Sequence, residues 1–185
     1  VNSNDPLVPE EQLDGESRVD GVSFGAVGKI VEAWSIFANY TYLDGEILQG
    51  VSDFCLANPA EPDCALGGNR NLIAGDPLAN TPDHSFSVWT TYETDFGLIV
   101  GYGATYQGHI SFNRASETAP LYETDPYTVH RAMAGYDLTD SIALQVNVNN
   151  LFDKEYYERI RNNSTNGWAT PGAGRSAVFS VVARF

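Results

Sequence analysis

Apolar and polar residues alternate with a period of two along much of this chain. Ile142, Leu144, Val146 and Val148 interleave with Ala143, Gln145, Asn147 and Asn149. The last segment repeats the pattern. Ala177, Phe179, Val181, Ala183 and Phe185 share one side; Val178, Ser180, Val182 and Arg184 share the other. A period of two predicts a strand with one apolar and one polar face. The same reading places strands at 21–30, 33–43, 85–92, 98–107 and 142–149, with a closing strand over 173–185. In the second, Trp34, Ile36, Ala38, Tyr40 and Tyr42 share a face, with Trp34 and Tyr42 near its two ends. In the fourth, Leu98, Val100, Tyr102, Ala104 and Tyr106 oppose Ile99, Gly101, Gly103, Thr105 and Gln107. Residues 127–137 form a strand of open phase: either Tyr127, Val129 and Met133 or Ala132, Ala134 and Tyr136 lie on its apolar side.

The connections sort by length. Those near residues 31, 95 and 139 are short; those at 44–82, 109–125 and 157–172 are long, polar and rich in Gly, Asn, Asp or Pro. Short turns on one rim and long loops on the other is the asymmetry of a transmembrane β-barrel, where aromatic rings also collect at both interfaces. The expected fold is therefore all-β: an antiparallel transmembrane β-barrel fragment of about seven strands, with long outer loops and short periplasmic turns. The lipid side would include Ile36, Tyr40, Val100, Tyr102, Leu144 and Val146. A serine at lumen-facing Gly101 is expected to be mild. An odd strand count leaves two edges without partners, so the sheet should be curved and open, or have its edges closed by an irregular or intermolecular pairing. Two other classes stay open at this stage. One is a small structural outer-membrane barrel or adhesin, which would close on an even number of strands. The other is a soluble β-sandwich binding module, in which the apolar faces would form a core.

Composition narrows the choice. The 185 residues include 17 glycines and 12% aromatics, which favours strands and tight turns. No run of 18 apolar residues occurs, so no transmembrane helix is predicted, yet a barrel strand needs only about 9–11 alternating residues. The mean hydropathy of −0.23 fits a wall with half of each strand turned to a polar lumen. Acidic residues outnumber basic ones, 24 to 10, for a net charge of −14, which disfavours nucleic acid as a partner. The first residues, Val1 to Asn4, are polar and do not resemble a signal peptide.

The chemistry-bearing residues are few. There is no Gly-rich phosphate loop, no zinc spacing and no nucleophile elbow, so no catalytic residue is assigned and the chain is not expected to be an enzyme. Cys55 and Cys64 flank a polar stretch containing PAEPD, without metal-spaced partners, and suggest a loop disulfide. Closing a loop of about ten residues restricts the unfolded chain by roughly 2.5–3 kcal/mol in the entropy model. His84, His109 and His130 fall near the long-loop ends of strands. Parity separates His84, on an apolar face, from His109, so no metal site is assigned. The long loops carry Arg70, Arg114, Tyr122, Tyr156, Arg159, Arg161 and Trp168.

The segment VNNLFDKEYY, residues 148–157, and the terminal Arg184–Phe185 resemble the C-terminus of TonB-dependent outer-membrane siderophore receptors. Residues 19–47, VDGVSFGAVGKIVEAWSIFANYTYLDGEI, and 80–93, NTPDHSFSVWTTYE, resemble preceding barrel strands of the same group, close to its catecholate-type members. The resemblance implies the C-terminal part of a barrel of about 22 strands with a plugged lumen. Residues 1–185 would all be barrel, with the plug domain and TonB box absent. It implies ferric-siderophore uptake across the outer membrane of a Gram-negative bacterium, energised by TonB acting through the missing plug. Iron would enter only as siderophore-bound substrate, with no cofactor of the protein's own. Outer-membrane lipid would be a partner, and Phe185 would be an assembly signal for the barrel-assembly machinery. Ferric catecholates are anionic and aromatic. Guanidinium groups and rings match them by charge-assisted bonds and stacking. Arg70, Arg114, Tyr122, Arg159, Arg161 and Trp168 are accordingly the ligand candidates. Asn149, Asn150 and Asp153 are expected to bond local backbone rather than ligand, with Leu151 and Phe152 packing at the upper girdle.

Overall fold

The computed structural model describes residues 15–60, 74–111, 121–162 and 167–184. Seven strands form one antiparallel sheet in the order β1-β2-β3-β4-β5-β6-β9. They are β1 (Glu16–Val31), β2 (Trp34–Gln49), β3 (His84–Glu93), β4 (Leu98–Gln107), β5 (Tyr127–Thr139), β6 (Ile142–Asn149) and β9 (Ser176–Ala183). A separate hairpin, β7 (Tyr157–Asn162) with β8 (Gly167–Pro171), stands between β6 and β9. A single turn of helix, α1 (Asp53–Ala57), follows β2. No helix among the described residues is long and apolar enough to cross a membrane.

The register carries one apolar face across the whole sheet. Phe24 faces Tyr40, Tyr40 faces Phe86, and Phe86 faces Tyr106. Lower down, Tyr92 faces Val100, Val100 faces Ala134, Ala134 faces Val146 and Val146 faces Phe179. A one-residue slip in any strand would send its apolar set to the other side, so this continuity fixes all six pairings. It also settles the phase of β5. Ala132, Ala134 and Tyr136 join the apolar face, while Tyr127, Val129 and Met133 lie on the polar one. Trp34 sits at the short-turn end of the apolar face. Its indole N–H donates to Thr90 Oγ1 at 2.6 Å, and Thr90 donates in turn to the Ser35 carbonyl.

Nothing covers this face among the described residues. Phe24 is 67% exposed, Phe179 80% and Val181 69%; the buried apolar side chains among the described residues are Ile47, Ile110 and Val129. A sandwich would bury such residues against a second sheet. A continuous exposed apolar face of this extent is a surface made for an apolar environment. Among the described residues the sheet is open, with β1 and β9 each paired on one side only.

The structure corrects several expectations. β2 does not end at residue 43 but continues to Gln49, and β1 begins at Glu16, so the first hairpin rises further above the rest. Alternation of apolar residues fades there because Asp20 opposes Asp44 and Arg18 opposes Glu46. Above an apolar layer no side of the strand needs to be apolar. Backbone pairing continues, and Arg18 bridges Asp20 at 3.0 Å and Glu46 at 3.3 Å. The 157–172 stretch is not a plain loop but holds the β7–β8 hairpin. The closing strand begins at Ser176 rather than Ala173, because the Ala173 carbonyl is taken by the Asn150 amide.

Gly101 is also not a neutral position. A Cβ there would lie 2.6 Å from the Trp89 ring, and one at Gly103 2.5 Å from it. The two glycines of β4 form a shelf on which the Trp89 indole lies, on the polar face. The turn from β3 to β4 needs glycine for a different reason. Gly97 has φ +85°, which bulkier residues rarely adopt, and its N–H closes the turn onto the Thr94 carbonyl at 2.9 Å.

Candidate functional site at the long-loop rim

The site is built on the turn that ends β6. Asn150 is 2% exposed with φ +46°. Its side-chain N–H groups donate to the Lys154 and Ala173 carbonyls at 2.9 and 3.0 Å, and its Oδ1 accepts from the Lys154 N–H at 2.8 Å. Asp153, at φ +54°, donates its N–H to the Asn150 carbonyl and accepts the Arg175 N–H on Oδ1. Asn and Asp tolerate this left-handed backbone because their short polar side chains bond locally. Two segments 23 residues apart in sequence, around Asn150 and Ala173, are thereby pinned together. The β7–β8 hairpin is held at its base. This is the structural role expected for Asn150 and Asp153. Phe152 meets His130 edge-on at 4.9 Å, and the Leu151 N–H donates to the His130 carbonyl at 2.8 Å.

The hairpin meets the polar side of the sheet through tyrosines. The rings of Tyr127 and Tyr156 lie 4.4 Å apart. The Tyr127 hydroxyl donates to Gln107 Oε1 at 3.0 Å, and the Tyr156 hydroxyl to Glu158 Oε1 at 3.3 Å. Burial raises the Tyr156 pKa above the ordinary phenol value, and the Glu158 carboxylate raises it further, so the group stays a neutral donor. Gly172 has no side chain where Tyr156 lies; a Cβ there would run into the ring. The Gly172 N–H bonds the Tyr156 carbonyl at 2.8 Å.

Several clefts open here among the described residues, and two of them are large. One, of about 510 Å³, is lined by Thr124, Pro126, Tyr127, Lys154, Tyr156 and Pro171 among others. The other, of about 530 Å³, is lined by Asn80, Gln107, Ile110, Arg159, Ile160 and Trp168 together with Glu158 and Pro82. Of the six ligand candidates, Arg159 and Trp168 therefore come together on one cleft. Arg161 pairs with Trp168 through the backbone, and its side chain lies outside the described residues. Tyr122 is 54% exposed and lines neither cleft. Arg70, Arg114, Cys64 and Phe185 lie outside the described residues. Cys55 is disulfide-bonded. Sequence reasoning missed Tyr127 and Gly172. The double tyrosine Tyr156–Tyr157 ahead of the closely spaced Gly172 and Gly174 was the available signal, but which strand it faced was not.

The histidines scatter. His84 and His130 belong to the apolar face, and His109 bonds the Thr124 carbonyl at 3.0 Å. Among the described residues no three His, Cys, Asp or Glu groups converge in a way that could hold a metal ion.

An open antiparallel sheet with one uncovered apolar face, short turns on one rim and a built hairpin on the other defines the wall of a β-barrel membrane protein. The chain belongs to the family of TonB dependent receptor-like β-barrels, whose pattern matches residues 2–151. It is 34% identical over 169 residues to the probable TonB-dependent siderophore receptor PiuA of Acinetobacter baumannii, covering 90% of this chain and 20% of that protein. It is 30% identical over 174 residues to the catecholate siderophore receptor Fiu of Escherichia coli K12, covering 92% of this chain and 20% of that protein. The crystal structure of PiuA superposes with a TM-score of 0.72 at 32% identity, over 91% of this chain and 22% of PiuA. That of Fiu in its closed form superposes at 0.69 and 28% identity, over 92% of this chain and 21% of Fiu. The chain thus spans about a fifth of the length of the curated relatives it matches. By their names these relatives are siderophore receptors.

Proposed function

We propose that this chain forms part of the wall and outer rim of a ferric-siderophore receptor in the outer membrane of a Gram-negative bacterium. The apolar face contacts lipid, the polar face lines the lumen, and the long-loop rim faces the medium. Uptake is energised by TonB acting through a plug, and iron enters only as siderophore-bound cargo. Phe185 serves the barrel-assembly machinery rather than the ligand. The observation that carries this reading is the Asn150-pinned hairpin, which brings Arg159 and Trp168 onto one cleft at the rim. A cation and an indole beside each other suit an anionic, aromatic complex of the ferric-catecholate class. The net charge of −14 offers no long-range attraction to such an anion, so capture is local.

The test is uptake of radiolabelled iron as a ferric catecholate complex. The complete receptor is expressed in cells lacking their own catecholate receptors, with and without TonB. Uptake that needs both the receptor and TonB is the predicted result. Receptor present in the outer membrane with no uptake of any ferric siderophore would overturn the proposal.

A further inference from the structure

Two clefts at the rim share a wall, and the shared residue is an acid. Glu158 lines the large cleft that holds Arg159 and Trp168. It also lines a smaller cleft of about 280 Å³ on the polar face, together with Arg131, Tyr127 and Tyr156. Among the described residues it is the only acid lining either cleft, and each cleft sets one arginine in the same lining. A carboxylate and a guanidinium in one cleft ordinarily join in a short charged bond. Here they do not. The ion pairs among the described residues join Arg18 to Asp20 and Glu46, and Lys29 to Glu32. Arg131 donates instead to Thr105 Oγ1 at 3.4 Å.

The base of the hairpin keeps these charges apart. The Tyr156 hydroxyl donates to Glu158 Oε1 at 3.3 Å. Tyr156 is itself fixed by its stack on Tyr127 and by the Gly172 N–H on its carbonyl. The carboxylate is thereby tethered to the phenol, in the wall the two clefts share, and is neutralised by neither guanidinium. Glu158, Arg159 and Arg131 are all exposed. A purely anionic cargo would have to settle beside this carboxylate, and like charges at such range repel. A cargo carrying both signs finds a partner for each.

We propose that Glu158 is a specificity-determining residue, and that the cargo of this rim is an amphoteric ferric complex, with anionic chelating arms and a protonated amine. The inference rests on the siderophore-receptor reading given above and narrows its ligand class. The anionic, aromatic part meets Arg159 and Trp168. The ammonium meets the Glu158 carboxylate, with the rings of Tyr127 and Tyr156 beside it. The smaller cleft suits an aminoalkyl arm rather than a whole iron complex. The same carboxylate disfavours a complex of equal size that carries negative charge alone.

The test uses the complete receptor purified in detergent. It is titrated with two ferric tris-catecholate complexes that differ at one group: a pendant primary amine, or that amine acetylated. Binding is read by quenching of intrinsic fluorescence. The wild type should bind the amine complex about fivefold more tightly, the upper range for one pair of exposed charges. Glu158→Gln keeps an acceptor for the Tyr156 hydroxyl and should erase that preference without weakening the acetylated complex. Glu158→Lys should reverse it. Tyr156→Phe removes the tether but keeps the ring and the Glu158 charge, so it should retain the preference; a merely structural role for Glu158 would not separate these variants. A wild type that does not prefer the amine, or a glutamine variant that still does, would overturn the proposal. Binding of neither complex, with no uptake of any ferric siderophore, would instead refute the reading on which the inference rests.

Discussion

The seven-stranded wall and the β7–β8 hairpin it carries obey different rules. In the wall, every strand repeats one demand: apolar on one face, polar on the other, in register with its neighbours. The hairpin has no such face to satisfy. Its position is set by one side chain, Asn150, and by the stacking of Tyr156 on Tyr127. A periodic environment leaves a periodic trace, whereas a single pinned turn leaves a few residues with no period. The wall should accordingly answer to substitution through folding, and the hairpin through ligand.

The largest effect should come from the wall's outer face. Val100→Arg puts a charge into the middle of the apolar band and should cost about 2–4 kcal/mol if that band meets hydrocarbon. Urea unfolding of the receptor in lipid vesicles would measure it, and a change under 1 kcal/mol would break the face assignment. The loop disulfide comes next. Cys55 should pair with Cys64, the only other cysteine. Mass spectrometry of the unreduced protein should find no free thiol, and Cys55→Ser should loosen that loop by roughly 2.5–3 kcal/mol in the entropy model.

Asn150→Ala tests the join between wall and hairpin. It strands the Lys154 N–H and two carbonyls and places alanine at φ +46°, for a cost of about 2 kcal/mol. Protease cleavage within 157–172 should accelerate while the sheet stays folded; unchanged cleavage would show that the hairpin is held by something else. Gly101→Ser sharpens the wall's inner face. The new Cβ must push the Trp89 ring aside, for about 1–2 kcal/mol, and the near-ultraviolet signal of the tryptophans should change. Adding Trp89→Ala should relieve most of that cost. The smallest effects on stability belong to the hairpin. Arg159→Ala and Trp168→Ala should leave the unfolding midpoint unchanged, yet each should weaken ferric-catecholate binding about fivefold. An equal loss of stability would make them structural.

Much of this was legible in the residues. Trp34 to Tyr42 and Leu98 to Tyr106 name their faces without help, because an apolar layer acts on every second residue. β5 could not be phased alone. Tyr127, Val129 and Met133 are as apolar as the opposite set, since Tyr127 serves the hairpin and Met133 lies beside Gly101 and Trp89 on the inner face. Only pairing with Val100 and Tyr102 decides it. Strand ends above the apolar layer were hidden for the same reason: Arg18, Asp20, Asp44 and Glu46 are paired strand residues that carry no alternation. The Trp89 shelf was invisible too. A glycine on a polar face reads as tolerance until the ring lying on it is seen.

The central claim is that the two sides of each strand meet different solvents. Spin labels placed singly along β4 of the receptor in lipid vesicles test it most directly. Labels at Val100, Tyr102 and Ala104 should be readily relaxed by oxygen, which concentrates in hydrocarbon. Labels at Ile99, Thr105 and Gln107 should respond instead to a water-soluble nickel complex or be shielded from both. Oxygen accessibility alternating with a period of two is the predicted result. Accessibility that is flat along β4, or that peaks at the odd positions, would contradict the account.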